Sequence, residues 1–348
     1  MKQRKLTRRT IILPVLAALL IAVLAVGIAF ADNQWSSYHY ERPSSAELIL
    51  DIGDCHTPSV YNNWSAMLTN VIADWNNIPG AGDNPEIGFN LTACGATINS
   101  YNDDYGNTGW LGLASIRVSR GRYAHIVSGR SQINEFYIDY PDYFGFDQAV
   151  EWQQVLCQEI GHDFGLNHNR EGSSGGTPDD TCMNDDIRPL RFPSPNVHDD
   201  EMFTEMYTHN HGESDSGSKP CNPKSKKCNA GAASYMVATW AESYASTAEM
   251  AASADVIVVA TVRSTLPAAA SNNGNVPFTF VVFSVDDVLK GSLGSEFRLQ
   301  QTGGNGLFIV DDPAYSVGEQ YILYLRAIDS ADGTVFRVVN PAGRVPTE

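Results

Sequence analysis

Residues 158 to 168 read Gln-Glu-Ile-Gly-His-Asp-Phe-Gly-Leu-Asn-His, a spacing able to gather side chains around one metal ion. On an α-helix, residues four apart lie one turn above each other on the same face, so Gln158 and His162 point together. Glu159 sits about a hundred degrees round from Gln158 and flanks the ion without ligating it. A carboxylate so placed takes a proton from an attacking water and hands it to a leaving amine. Gly165 permits the sharp turn or positive φ that ends a helix, and His168 then swings back from outside it. Two imidazoles and the Gln158 amide oxygen make three protein ligands with one position open to water. A neutral amide is a harder and weaker ligand than imidazole, so altered metal preference belongs to this reading. His198 and His56 are alternative third ligands, and an amphipathic helix with satisfied core histidines is the competing structural reading.

A helix of this kind needs a support, and the surrounding pattern is α+β. Leu48-Ile49-Leu50 within 47–51 reads as a buried strand. Trp64, Met67, Leu68, Val71, Ile72 and Trp75 recur at helical spacing over 62–78, ahead of Pro79-Gly80. Segments 86–91, 111–118, 123–127 and 132–140 read as strands, and 146–164 as the helix carrying the chemistry. Asp103-Asp104 with Gly106-Asn107 reads as a polar turn, with Ca2+ binding as the alternative. Gly, Ser, Lys and Asn dominate from about 212 to 234, marking a linker whose Lys224, Lys226 and Lys227 form a solvated turn. Beyond it, 246–252 reads as a short helix. Strands are expected at 255–263, 277–285, 296–301, 307–310, 320–326 and 334–339, which suits a small β-barrel or sandwich over 235–348.

The 158–168 segment resembles the active site of metzincin-clan zinc metallopeptidases, H-E-x-x-H-x-x-G-x-x-H, with Gln158 in place of the first His and Glu159, His162, Gly165 and His168 matching. Gln-for-His variants are known among gametolysin-like members of the clan. Four matches at fixed offsets weigh against a plain core helix. The resemblance extends over about 45–211 and is matrixin-like where Ser194 to Tyr207 leads into a closing helix capped by Asn196 and Asp199. It implies a mixed sheet with helices, Zn2+ or another divalent metal, a protein or peptide substrate, and Glu159 as the general base. It also implies that Met183, in Thr181-Cys182-Met183-Asn184, supports the site from below. The stretch 188–195 would wall a substrate pocket with Leu190 and Phe192, for which core packing is the alternative. Six cysteines allow fifteen pairings; the resemblance favours Cys157–Cys182, leaving Cys55–Cys94 and Cys221–Cys228. Asp287 to Gly291 and Val317 to Tyr321 weakly resemble netrin-like or tissue-inhibitor-like barrels of the OB type.

Compartment and partners follow from charge and the N-terminus. Lys2, Arg4, Lys5, Arg8 and Arg9 precede an apolar run, Ile11 to Phe30, and Ala29-Phe30-Ala31 offers a cleavage site. This reads as a signal peptide over 1–31 and a secreted, disulfide-bonded chain with no stable membrane association after cleavage; an uncleaved anchor is the alternative. Residues 1–31 hold five basic and no acidic side chains, so their removal takes the formal charge from -17 to -22. Such acidity argues against nucleic acid as a partner. Between Ala31 and the first expected strand there is no cysteine, so latency through an upstream cysteine is not expected. The expected function is secreted, metal-dependent endopeptidase activity. An inactive metzincin-like module that binds peptide or metal is the alternative.

Overall fold

Short runs of buried Ile, Leu and Phe interleaved with polar residues build the first sheet, and a computed structural model gives its arrangement. It describes residues 34–42, 47–59, 63–78, 87–119, 124–138, 148–169, 180–184, 192–208, 233–270, 276–328 and 335–347. The expected signal peptide, most of the 212–234 linker with its lysines, the Cys221–Cys228 pair and Leu190 lie outside the described residues. The first sheet contains β1 (Leu48–Asp54), β2 (Ile87–Ala93), β3 (Ile98–Asp103), β4 (Trp110–Val118), β5 (Ile126–Asn134) and β6 (Ala233–Trp240). Their order is β2-β1-β3-β5-β4-β6, with the first four parallel and β4 and β6 antiparallel to their neighbours.

Three helices accompany this sheet: α1 (Trp64–Asn76), α2 (Gln148–Asp163) and α3 (Val197–Thr208). Helix α1 starts where Asn63 accepts the Ala66 N–H, and it buries Trp64, Leu68, Val71, Ile72 and Trp75. Trp75 meets Phe164 edge-on, Phe164 stacks on Phe89 at 4.1 Å, and Phe203 of α3 packs against both Trp75 and Phe89. Helix α3 begins in the reciprocal cap expected of Asn196 and Asp199: Asn196 N–H donates to Asp199 Oδ2 at 2.9 Å, and Asp199 N–H donates back at 3.4 Å.

A second sheet follows helix α4 (Thr247–Ser253) and comprises β7 (Val256–Thr265), β8 (Ala269–Ala270), β9 (Pro277–Lys290), β10 (Glu296–Gly304), β11 (Leu307–Phe308), β12 (Gln320–Ile328), β13 (Val335–Val338) and β14 (Arg344–Pro346). Because β9 pairs with β10 as well as β7, the ladder β10-β13-β12-β7-β9 returns on itself. Val258, Val281, Phe283, Leu299, Leu323 and Leu325 fill its interior. The described residues thus form an α+β fold with two mixed sheets.

Three features depart from the sequence pattern, the first being strand β3, which has no counterpart among the expected strands. Strands expected at 123–127 and 132–140 are one strand, β5, whose polar middle is drawn into the fold by a helix carboxylate. Arg130 N–H donates to Asp163 Oδ1 at 2.9 Å and Ser131 Oγ to Asp163 Oδ2 at 2.6 Å. Strand β6 has no counterpart in the expected elements: its residues straddle the 234/235 linker boundary, yet it pairs with β4 of the first sheet.

Beyond β6, Glu242 ties the chain to the second sheet through Arg337 at 2.7 Å and Arg326 at 2.9 Å. Burial pushes the Glu242 carboxyl up, but the two guanidinium groups outweigh it and hold the group below its ordinary value of 4.5. The stabilisation is therefore complete above pH 4.5 and is lost as pH falls through the lower value of the folded state. Glu242→Gln, which strands two cations, should cost about 3 kcal/mol at neutral pH. Urea denaturation from neutral to acid pH checks this: the gap between wild type and variant should close towards acid, and a constant gap would refute the assignment.

Candidate active site

Helix α2 is buried on nearly every side, so its polar residues must find partners inside the protein. Gln154 donates to Asn184 O at 2.8 Å and accepts from Phe192 N–H at 2.7 Å, which fixes the turn and the extended segment beside the site. Phe192 is thereby pinned by its backbone next to α2, as a wall would require. Burial lifts the Asp163 carboxyl well above the ordinary range, against the pull of Ser131 and the Arg130 amide. Those bonds lock the last turn of α2 to β5. Gly129 is needed there, since a Cβ would lie 2.7 Å from Asp163 Cγ.

Two of the predicted metal residues, His162 and His168, come together at the end of this helix. Gly165 takes φ +104° and its backbone closes against Tyr38 O, where a Cβ would sit at 2.2 Å. The chain then turns, and the His168 ring comes within 4.6 Å of the His162 ring, centroid to centroid. His162 Nδ1 lies 2.9 Å from Leu166 O; donation to that carbonyl leaves Nε2 as the basic nitrogen. Trp35 stands edge-on to His162 at 6.2 Å. Cys157 and Cys182 are bonded, as are Cys55 and Cys94. Met183 lies against the helix: a Cβ on Gly161 would be 2.4 Å from its sulfur. Its turn is held by Asn169 N–H on Met183 O at 2.8 Å and by Thr181, whose hydroxyl accepts from Met183 N–H and donates to Asp199 of α3.

Gln158 and Glu159 face a residue that the motif does not contain. Thr239 of β6 places its hydroxyl on both Gln158 Oε1 and Glu159 Oε1, and its N–H donates to Glu159 Oε1 at 3.2 Å. Strand β4 presses from the same side: a Cβ on Gly112 would stand 2.4 Å from Glu159 Oε1. Burial lifts Glu159 well above the ordinary carboxylate range, despite the opposing hydrogen bonds from Thr239.

The alternative third ligands have other work. His56 is held between Asp54 at 3.0 Å and Ser100 at 3.1 Å, where β1 and β3 end. The Ser100 hydroxyl of this relay is fully buried, which suits a structural link. His198 lies on α3 beside Glu201. In the candidate calcium turn, Asp104 Oδ1 accepts Gly106 N–H, and Asn107 accepts from Tyr137 and Arg337.

Among the described residues no cluster of three His, Cys, Asp or Glu side chains stands ready for a metal. The set at hand is two imidazoles and an amide oxygen. It suits a divalent ion by donor chemistry, and Gln158 Nε2 and Glu159 Oε2 are buried polar atoms that make no hydrogen bond. Thr239, Gly112 and Trp35 are the site residues that sequence reasoning missed. The one signal for Thr239 is a lone hydroxyl within the apolar run Met236 to Trp240.

Gly161→Ala tests the packing beneath the site. Alanine favours a helix by about 1 kcal/mol, but overpacking against Met183 and the Trp75 ring costs about 1–3 kcal/mol. Net destabilisation of about 1 kcal/mol is expected by urea denaturation; a stabilised variant would show that Met183 does not abut the helix. Comparison with known proteins adds no family: no protein-family model matches the chain, and no curated protein matches it.

Proposed function

We propose that this chain is a secreted metal-dependent endopeptidase of metzincin-like fold, carried on a small OB-like barrel. The observation that carries the reading is that His168 returns to within 4.6 Å of His162, ring to ring, where the helix that bears Gln158, Glu159 and His162 ends against Met183. The returning ladder of the second sheet supports the barrel, and two disulfides fit an oxidising compartment. Among the described residues, no helix is long and apolar enough to cross a membrane.

His162, His168 and the Gln158 oxygen would hold Zn2+ or another divalent ion. When bound, such an ion polarises the scissile carbonyl and the attacking water. Glu159 takes a proton from that water as its oxygen joins the carbonyl carbon, and delivers it to the amine nitrogen as the C–N bond breaks. The Leu166 carbonyl keeps the His162 Nδ1 proton in place, and Asp163 fixes the helix end that carries both groups. Ca2+ at the Asp103–Asn107 turn is not required by this chemistry.

A second reading, a noncatalytic peptide- or metal-binding module, is favoured by one observation: Glu159 is 0% exposed and bonded to Thr239. Incubation with labelled unfolded casein, with and without chelator and beside Glu159→Ala, separates the two. The peptidase reading predicts metal-dependent cleavage that falls by about 10²–10⁴-fold in the variant. Cleavage indifferent to both treatments would refute it. Gln158→His should tighten zinc binding in a competition titration; unchanged affinity would mean that residue 158 is not a ligand.

A further inference from the structure

The segment that covers Gln158 and Glu159 has the form of an occupant. Without β6, β4 would be the free edge of the first sheet, and β4 is the strand that touches the Glu159 carboxyl at Gly112. A free strand edge beside a proton-transferring carboxylate is a template for an extended polypeptide. Residues Ala233–Trp240 take that edge, antiparallel, from Val118 to Trp110. A register shift between Trp110 and Gly112 brings Thr239 opposite Gly112, directly over Glu159.

Exposure is 1% for Gln158 and 0% for Glu159, the two residues that Thr239 contacts, so no second chain reaches them while β6 is seated. The second sheet holds β6 down from outside. Val310 N–H donates to Met236 O at 2.9 Å, and Met236 and Ala238 pack with Trp110, Leu113, Val276 and Ile309. Tyr38, ahead of the first strand, closes on Tyr235 at 4.9 Å. A strand that merely completed the sheet could bury another aliphatic residue at 239. Instead the hydroxyl occupies the Gln158 oxygen that a metal would need and the carboxyl that a substrate's water would need.

We infer that residues 233–240 are an intramolecular inhibitory strand, with Thr239 as its plug, delivered by the C-terminal sheet to the edge where a polypeptide substrate would bind. This rests on the peptidase reading for the word inhibitory, but not for the occlusion itself. The closed form is latent, and activity requires β6 to leave β4.

Lock and release variants of the full chain test it. Arg117→Cys with Ser234→Cys joins two residues that face each other across β4 and β6 and locks the strand on oxidation. Met236→Pro removes a main-chain donor and loosens it. Zinc affinity by chelator competition, casein cleavage at saturating zinc, and casein binding to Glu159→Gln forms are read for each. Release should raise casein binding and cleavage at least about tenfold, as expected when a hydrogen-bonded ladder is lost, and the lock should abolish the gain. If the released form binds casein and zinc more tightly but cleaves nothing, the strand is an occluding device and the peptidase reading falls. The proposal is overturned if the locked and wild-type forms process casein as fast as the released one. It is equally overturned if faster amide exchange at 110–118 proves opening without any gain in binding. Should Met236→Pro not fold, Thr239→Ala keeps the ladder and removes only the plug. It should tighten zinc severalfold, and unchanged affinity denies Thr239 the role.

Discussion

A buried helix with a polar face has to be answered atom by atom, and helix α2 imposes that demand on the rest of this protein. Leaving such groups unpaired would cost on the order of 1–3 kcal/mol each. Every element around α2 answers one of them. Strand β5 supplies Ser131 and the Arg130 amide to Asp163, and the segment at Phe192 and the turn at Asn184 close on Gln154. Strand β4 sets Gly112 against Glu159, and β6 gives Thr239 to both Gln158 and Glu159. The disulfide Cys157–Cys182 and the Thr181–Asp199 contact bind the Met183 turn to the same framework.

This arrangement separates two kinds of polar residue on one helix. Gln154 and Asp163 each bond two neighbouring segments of the core, and nothing in the proposed chemistry asks them to change partners. Gln158 and Glu159 keep one atom each out of any hydrogen bond and share a single hydroxyl from a distant strand. That asymmetry is what a site in a closed state should show. The groups that must act are held by a contact that can be withdrawn, while those that position them are held by the core.

Much of this was legible in the sequence, and the reasons it stopped are physical. The 158–168 spacing, Gly165, the Asn196–Asp199 cap and the strands of the second sheet rest on local periodicity and turn chemistry, and each lies where the pattern puts it. Strand β3 was missed because Asn99, Ser100 and Asn102 look like loop residues. Ser100 and Asn102 are buried, bonded to His56, Thr57 and Glu135. Strand β5 was split for the same reason, since the partner of Ser131 lies 32 residues away in sequence. Strand β6 was invisible because its contact with Glu159 spans 80 residues and its pairing with β4 still more, and no local pattern encodes such contacts.

The central claim is that His162, His168 and Gln158 form one metal site. X-ray absorption at the zinc edge of the zinc-loaded full chain tests it most directly. The account predicts two imidazole nitrogens in the first coordination sphere, with an oxygen that disappears or changes when Gln158 becomes His. A zinc ion without imidazole ligands, or a chain that takes up no zinc even when Thr239 is replaced by Ala, would contradict it.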